Sequence, residues 1–449
     1  MSPHGVEASA RLRALEQAVA ARPASAVAEH NLAAALGDMG DAPAALNAVR
    51  RAFAKGGDAP ETWLVLARAL MSLSRLTEAG EALDQALARR PDYADALRDK
   101  AQLIWMTTGD AMAALAPLEA RLKAAPTPQL AVLRARITRD ILGDEEAWRG
   151  LEPWLAVPHP AFLDLAASTA AAGFDPVLSL KLAEAAAEAA PGDPEARTAR
   201  LAALMACGRS GEALPGLDAL LAAAPDDQYA LALRYAAWRV VGDPRALSAE
   251  DYGRLTAPFD LATPDGADRT AWLEQTATAL RALHPFQAQP LGQSIRSGVQ
   301  AALDPRFAGD PAVDAVFEAL DAPIRTFIAA MAGRDDPMSR RAGSGHEIIG
   351  AWSVRLSAGG RHSDHIHPRG WVSSALYVET PEPSPDQPKA GWLRFGACRL
   401  GVDFDLPPEH WIEPRPGRVA LFPSWMWHGT EPFTGGGERL TVAFDVQPR

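Results

Sequence analysis

The stretch that decides the fold of the C-terminal part is Arg361-His362-Ser363-Asp364-His365-Ile366-His367-Pro368. It places three histidines and one aspartate close together, in a run with no helical periodicity. Along an extended chain, residues two apart point to the same face. His365 and His367 can therefore bind one metal ion together, and His362 with Asp364 forms an alternative pair. The stretch predicts a metal-binding strand, and at this point both pairs remain open.

A third metal ligand has to come from another part of the chain, and His428 is the candidate. It ends the run Leu421-Phe422-Pro423-Ser424-Trp425-Met426-Trp427-His428, in which a strand is followed by a tight turn. Two ligands on one strand and a distal histidine occupy one face of a metal, which leaves positions for a chelating cosubstrate and O₂. On the next strand, Arg439 can hold the far carboxylate of a dianionic cosubstrate through a bidentate contact. Thr441 shares that strand face and can add a hydroxyl donor.

These residues resemble the 2-oxoglutarate/iron(II) oxygenase superfamily, from about residue 347 to 446 and more loosely from about 270. Within it, the chain is most similar to the branch with an HxHP strand and an LFPSW…H turn. The motifs that carry the resemblance are His365-Ile366-His367-Pro368, Ser374-Ala375-Leu376-Tyr377-Val378, Leu421 to Trp425 with His428, and Arg439-Leu440-Thr441. The resemblance implies a double-stranded β-helix (jelly-roll) core with Fe(II) on His365, His367 and His428. It also implies 2-oxoglutarate on Arg439 and Thr441, and O₂ as the second cosubstrate.

The chain departs from the superfamily in one respect. The common ligand set is two histidines and one carboxylate, whereas His365, His367 and His428 are three imidazoles. A set of His362, Asp364 and His428 would restore the carboxylate. The proline after His367 and the distance to Tyr377 match the similar branch and favour the three-histidine set.

The N-terminal part, residues 10–243, is rich in Ala and Leu with helical periodicity, and it repeats about every 34 residues. Leu32-Ala33 recurs as Leu66-Ala67, and Pro191-Gly192-Asp193 recurs as Pro225-Asp226-Asp227. The copies around 126–190 are degenerate. This pattern resembles the tetratricopeptide repeat family. The resemblance implies a helical solenoid whose concave face binds a peptide or protein.

After residue 243 the pattern changes, because Pro and Gly become frequent and short strand-like runs appear from Glu347 onward. We predict a second domain over 244–449, with a helical lead-in over 244–345 and a jelly-roll core over 346–449. The predicted fold is therefore multidomain: an all-α tetratricopeptide-like solenoid followed by an α+β domain with a double-stranded β-helix core. Residues 382–389 are predicted to form a loop that could cover the site.

The composition limits the classes of partner. With 44 Lys+Arg against 56 Asp+Glu, the 449-residue chain has a net charge of −12, which argues against nucleic acid. Its two cysteines, Cys207 and Cys398, make a disulfide framework improbable. The start of the sequence does not resemble a secretory signal, and no apolar run approaches the ~20 residues of a membrane span. These features predict a cytoplasmic protein without a membrane partner, and the solenoid flanks could support a homodimer.

The expected activity is that of an Fe(II)- and 2-oxoglutarate-dependent dioxygenase that hydroxylates a peptide or protein presented by the repeat domain. The choice of substrate rests on analogy with repeat-containing protein hydroxylases. One alternative is a non-catalytic repeat-protein adaptor with a degenerate jelly roll. Another is a cupin-like three-histidine metal dioxygenase that uses no cosubstrate and so has no need of Arg439. His346 and His410 have no such companions and are expected to be ordinary polar residues, whereas Trp371 could line the mouth of the pocket.

Overall fold

The computed structural model describes residues 3–155, 159–173, 175–343, 345–382 and 385–449. Its N-terminal half is a series of paired helices. They are α1 (Pro3–Ala21), α2 (Ala26–Asp38), α3 (Ala42–Ala54), α4 (Pro60–Ser72), α5 (Leu76–Arg89), α6 (Ala94–Thr108), α7 (Ala111–Ala124), α8 (Pro128–Leu142), α9 (Asp144–Leu151), α10 (Pro160–Gly173), α11 (Pro176–Ala189), α12 (Pro194–Ala206), α13 (Ser210–Ala223) and α14 (Gln228–Val241). The first helices of successive pairs begin at Ala26, Pro60, Ala94 and Pro128, a spacing of 34 residues. This arrangement confirms the tetratricopeptide-like solenoid.

The recurring Gly-Asp pair marks turns inside these helix pairs. Gly40 has a φ of +84°, a conformation that costs glycine little, and it lets the chain reverse after α2. Asp41 then caps α3 by accepting a hydrogen bond from the backbone N–H of Ala44 at 2.9 Å. Asp110 caps α7 in the same way after Gly109. The region around 126–190, predicted to hold degenerate copies, includes α9, which has only eight residues.

The C-terminal part contains three helices and eleven strands within the described residues. They are α15 (Ala249–Leu255), β1 (Ala257–Asp260), α16 (Arg269–Ala282), β2 (Ile295–Gln300), α17 (Pro311–Met331), β3 (His346–His362), β4 (Val372–Glu379), β5 (Leu393–Phe395), β6 (Cys398–Gly401), β7 (Phe404–Leu406), β8 (His410–Ile412), β9 (Arg418–Pro423), β10 (His428–Thr430) and β11 (Arg439–Pro448). A six-stranded sheet has the order β1-β9-β4-β11-β3-β2, and a three-stranded sheet has the order β10-β5-β8. Their pairings are antiparallel, as expected of a double-stranded β-helix.

One hydrophobic core joins the last repeats to the jelly roll. Leu204 and Leu231 of the solenoid belong to the same buried cluster as Val316 of α17, Leu376 of β4 and Phe444 of β11. Apolar burial of this kind is the main stabilising contribution in folding. The division of the chain at residue 243 therefore stays a prediction, since the core continues across it.

Helix α14 packs directly against the turn that carries His428. The ring of Trp425 stacks on Tyr235 with 4.3 Å between ring centroids, and Trp427 donates from Nε1 to the carbonyl of Ala232 at 3.3 Å. Arg239 donates from its guanidinium to the carbonyl of Gly396 at 2.8 Å, next to β5. The last repeat thus supports the distal half of the predicted metal site. Within the described residues, no helix combines the length and apolar character that crossing a membrane requires.

Candidate metal centre

The three predicted histidines lie on two neighbouring backbone segments. His365 and His428 form an antiparallel bridge in which each backbone N–H donates to the other residue's carbonyl, at 2.9 and 3.0 Å. The N–H of His367 donates to the carbonyl of Ser424 at 3.0 Å, in the turn after β9. The segment after β3 and the β9–β10 turn are thereby held side by side. This backbone pairing brings together side chains that are far apart in sequence.

The ring nitrogens of these histidines converge. Potential ligand atoms of His365, His367 and His428 all lie within 4.8 Å of one another, and the Nε2 atoms of His365 and His367 are 3.3 Å apart. Metal–nitrogen bonds of about 2.0–2.1 Å suit nitrogens at such separations. The three residues preferred in the sequence analysis therefore form one cluster, and their role as ligands stays a proposal.

Each of the three imidazole rings is also held in its orientation by a hydrogen bond at its Nδ1 atom. The Nδ1 atom of His365 lies 2.8 Å from the carbonyl of Ser363, and that of His428 lies 2.9 Å from the carbonyl of Met426. The Nδ1 atom of His367 lies 2.6 Å from a carboxylate oxygen of Asp445. Because these partners are acceptors, each Nδ1 carries a proton, and in the neutral form of each ring the Nε2 atom then presents a lone pair. Histidines that bind metals are commonly oriented in this way.

The contribution of Asp445 was not anticipated from the sequence. Its carboxylate is buried, with 4% of the residue exposed, and it accepts a hydrogen bond from the Ser373 hydroxyl at 2.7 Å. Ser373 is also paired with the Ser424 hydroxyl at 2.8 Å, so β4, β11 and the β9–β10 turn share this network. Asp445 lies an even number of residues from Arg439 and Thr441, so all three are expected on the same face of β11. This spacing is the signal that could have identified Asp445.

Burial and neighbouring charges separate the pKa values of the ring nitrogens. Burial lowers the pKa of His365 to about 3 and that of His428 well below its ordinary value. For His367, burial alone would lower the pKa, but the Asp445 carboxylate outweighs it and raises the pKa. At neutral pH, His365 and His428 are thus neutral donors, which is the form that binds a metal. The donor set fits Fe(II), an ion for which imidazole is a suitable ligand.

The alternative ligand pair is directed elsewhere. Asp364 accepts two hydrogen bonds from the Arg394 guanidinium, at 2.9 and 2.7 Å, in a bidentate ion pair. His362 lines the same cavity as the cluster, and its Nδ1 atom lies 2.9 Å from the Ser294 hydroxyl. That hydroxyl is also 3.3 Å from Nε2 of His365. The carboxylate of the competing set is thus engaged by an arginine, which weighs against a site built on His362 and Asp364.

The two predicted cosubstrate residues line the same cavity. Arg439 is 2% exposed, and its Nε atom is buried without a hydrogen-bond partner among the described residues. The ring of Tyr377 lies 5.0 Å from its guanidinium carbon. Burial lowers the pKa of Arg439; the Tyr377 hydroxyl opposes this effect, and in the described part of the chain no carboxylate does. Thr441 lies two residues after Arg439 on β11 and is also buried.

The cavity has a volume of about 1210 Å³ and two kinds of wall. The jelly roll contributes the three histidines, Arg439 and Thr441. The solenoid contributes residues of α2, α4, α6 and α8, the first helices of successive pairs. Among them are Arg68, Gln102 and Arg139. The metal cluster therefore faces the repeats across a shared space.

Three further predictions have different outcomes. His346 lies 3.4 Å from Asp321, His410 stacks on the ring of Tyr252, and neither belongs to the cluster of His365, His367 and His428. Trp371 does not line the mouth of the pocket, because it is buried and donates from Nε1 to the carbonyl of Met338 at 3.0 Å. In the proline-rich loop 382–389, residues 383 and 384 lie outside the described residues.

Comparison with known proteins finds one family model that matches the C-terminal part of the chain. Residues 350–445 match the family model described as "Putative 2OG-Fe(II) oxygenase". The C-terminal part of the chain is thus an oxygenase-family domain, joined to tetratricopeptide-like repeats. The search of curated proteins produced no match.

Several solved structures are similar to parts of the chain. A tetratricopeptide-repeat protein of Thermus thermophilus is 21% identical, over 40% of this chain and 100% of its own, with a TM-score of 0.32. A prolyl-4-hydroxylase of Pseudomonas putida is 18% identical, over 44% and 96%, with a TM-score of 0.29. The collagen prolyl hydroxylase of Paramecium bursaria Chlorella virus-1 is 13% identical, over 44% and 98%, also with a TM-score of 0.29. Similarities at this level carry no conclusion about substrate.

Proposed function

We propose that this protein is an Fe(II)- and 2-oxoglutarate-dependent dioxygenase with His365, His367 and His428 as its metal ligands. Arg439 and Thr441 bind the cosubstrate. The observation that carries the proposal is a buried arginine, without a carboxylate partner among the described residues, in the same cavity as a three-histidine cluster. A buried cation is costly unless an anion compensates it. A dianionic 2-oxo acid supplies that anion.

When bound, iron and 2-oxoglutarate supply oxidative decarboxylation to succinate, with transfer of one oxygen atom from O₂ to the substrate. The chain's own residues prepare the site for this chemistry. Strand β11 carries Arg439 near one end and Asp445 near the other, on one face. Asp445 fixes the ring of His367, while Arg439 holds the far carboxylate. Because both residues lie on one face of one strand, Arg439 would bind the cosubstrate in the same cavity in which the histidines would hold the metal.

Asp445 also supplies a carboxylate close to the cluster, which lacks the carboxylate ligand of the common set. Three neutral imidazoles leave a divalent metal with more positive charge than two histidines and a carboxylate would. Through its 2.6 Å hydrogen bond, Asp445 increases the electron donation of His367 and places a negative charge next to the site. The Asp445 carboxylate thus acts on the metal site through His367 and is not itself a metal ligand.

A peptide or protein is the proposed substrate. The cavity exceeds the roughly 300–1,000 Å³ typical of small-molecule pockets, and the repeats form one of its walls. Concave solenoid surfaces are suited to extended partners. The oxygen atom would be transferred to a side chain that reaches the histidine cluster from this shared space.

A second candidate is a three-histidine dioxygenase that needs no cosubstrate, which the all-imidazole cluster favours. Arg439 distinguishes the two, because such an enzyme would have no anion to place against it. Dependence of O₂ consumption on 2-oxoglutarate separates them directly.

The test is an aerobic assay of the full chain with Fe(II) and 2-oxoglutarate, in which succinate is measured with and without a cellular peptide extract. We expect succinate above background, more of it with extract, and neither in His428→Ala. Succinate at background in both conditions would contradict the oxygenase and leave the repeat-protein adaptor. O₂ consumption without any need for 2-oxoglutarate would point to the second candidate.

A further inference from the structure

A second cavity lies beside the first and meets it next to the metal cluster. It has a volume of about 1290 Å³. The residues that line both cavities form a neck between them. They are Asp38, Met39, Ile349, Pro368 and Arg369. Pro368 and Arg369 directly follow His367 in the sequence, so the wall that the two cavities share begins one residue after a proposed ligand.

Both ends of the solenoid border this second cavity. Arg11 of α1 and Gln228 of α14 line it, together with β3 and the end of β11. The solenoid also contacts the oxygenase domain between these ends. A Cβ at Gly40 would lie 3.0 Å from Cβ of Asp304, and the N–H of Gln287 donates to the carbonyl of Met106 at 2.7 Å. The repeats thus bend around the jelly roll, and the two cavities form one long groove between them.

The charge of the second cavity is opposite to that of the whole chain. Six arginines and four carboxylates line it, in a chain with a net charge of −12. The arginines are Arg11, Arg306, Arg325, Arg341, Arg369 and Arg449, and the carboxylates are Asp38, Asp226, Asp321 and Glu347.

Two of these six arginines lack an ion-pair partner among the described residues. Arg306 and Arg325 each form a close ion pair, with Asp304 and Asp321. Arg11 and Arg369 are exposed, and among the described residues neither has a carboxylate within ion-pair distance. Arg341 and Arg449 also have carboxylates within ion-pair distance, Asp226 at 3.6 Å and Glu347 at 3.2 Å. The cavity therefore favours an anionic occupant.

We propose that this groove binds an extended, acidic polypeptide segment of another protein. The segment runs through the neck, with its reacting residue in the first cavity and its acidic flank against the arginines of the second. This inference rests on the proposed function for the reacting residue, but the binding itself does not. The continuity of two cavities, each larger than a small molecule requires, fits a polymer. The local positive charge specifies the acidic flank.

Two labelled peptides of equal length test the proposal by fluorescence anisotropy with the full chain. One repeats Gly-Ser-Glu and the other Gly-Ser-Gln, so they differ in charge but hardly in size. Because the whole protein is acidic, its general field opposes the glutamate peptide, and only a local basic surface can reverse that preference. Arg11→Glu changes the second cavity. Arg13→Glu, on the same helix and also exposed, is the matched control because it lines neither cavity.

We expect the glutamate peptide to bind more tightly than the glutamine peptide. Arg11→Glu should weaken it roughly two- to fivefold, the effect of one exposed ion pair, and Arg13→Glu should not. Met39→Trp, which fills the neck, should weaken it further. Equal binding of both peptides, binding of neither, or equal effects of the two arginine variants would overturn the proposal. Succinate formation by wild type without peptide is measured in parallel, and its absence would remove the oxygenase while leaving the binding result to stand.

Discussion

Replacing Arg439 by methionine should change stability and cosubstrate binding in opposite directions. The side chain is 2% exposed, and its Nε atom has no hydrogen-bond partner among the described residues. A buried polar group without a partner costs roughly 1–3 kcal/mol, and more when it is charged. Methionine has a similar length and no charge. The free energy of unfolding of the protein without cosubstrate should therefore rise by about 1–3 kcal/mol, which raises the thermal midpoint by a few degrees.

The affinity for 2-oxoglutarate should fall in the same variant. Truncating one partner of a buried, hydrogen-bonded charge pair costs roughly 2–5 kcal/mol. That range corresponds to about thirtyfold to several-thousandfold in Kd. Isothermal titration of 2-oxoglutarate into the Fe(II)-loaded protein without O₂ measures this loss, and thermal unfolding without cosubstrate measures the stability.

Arg394→Met is the matched control. Arg394 makes a bidentate ion pair with Asp364 and lies 3.4 Å from Glu431, so its removal leaves two carboxylates without this cation and should lower the thermal midpoint. If Arg439→Met lowered the midpoint as Arg394→Met does, Arg439 would be an ordinary structural arginine. Unchanged binding of 2-oxoglutarate by Arg439→Met would refute the cosubstrate role.

Three further substitutions test the surroundings of the site. Asp445→Asn should weaken Fe(II) binding roughly ten- to a hundredfold in a competitive titration, and unchanged affinity would show that the carboxylate does not act through His367. Gly370→Ala should destabilise the protein by about 1–3 kcal/mol, because the new Cβ would clash with the Ser424 hydroxyl; wild-type stability would show that the turn can relax. Burial lowers the pKa of His284 to about 4 from its ordinary 6.5, so between these pH values only the unfolded state binds the proton. The free energy of unfolding of wild type should therefore fall as the pH falls through this window, by on the order of 3 kcal/mol. The loss should be smaller in His284→Gln. Identical pH profiles of the two proteins would contradict a lowered pKa of His284 in the folded state.

The sequence identified the residues of the candidate site because the signals that point to them are local. Two histidines two residues apart, a turn with a distal histidine, and an arginine at the start of a strand are all patterns within short windows. The same holds for the solenoid, whose period of 34 residues is visible in the turns. Residue type and spacing were sufficient wherever both partners of an interaction belong to one motif.

The parts that were missed depend on contacts between distant segments. Asp445 contacts His367 from 78 residues away, and Ser294 reaches His365 from 71 residues away. Alternation along the strand left Asp364 open as a ligand, and only its ion pair with Arg394 on β5 shows where it points. Trp371 is buried because the chain at Met338 covers it. A single sequence holds no direct record of such pairings.

The metal cluster can be tested most directly by measuring how much Fe(II) the full chain binds, without O₂, in wild type, His365→Ala and Asp364→Ala. We expect about one iron per chain in wild type and in Asp364→Ala, because Asp364 is engaged by Arg394 and contributes no ligand atom. We expect His365→Ala to bind little or none. Loss of iron in Asp364→Ala with retention in His365→Ala would contradict the three-histidine centre and restore His362 and Asp364 as the ligands.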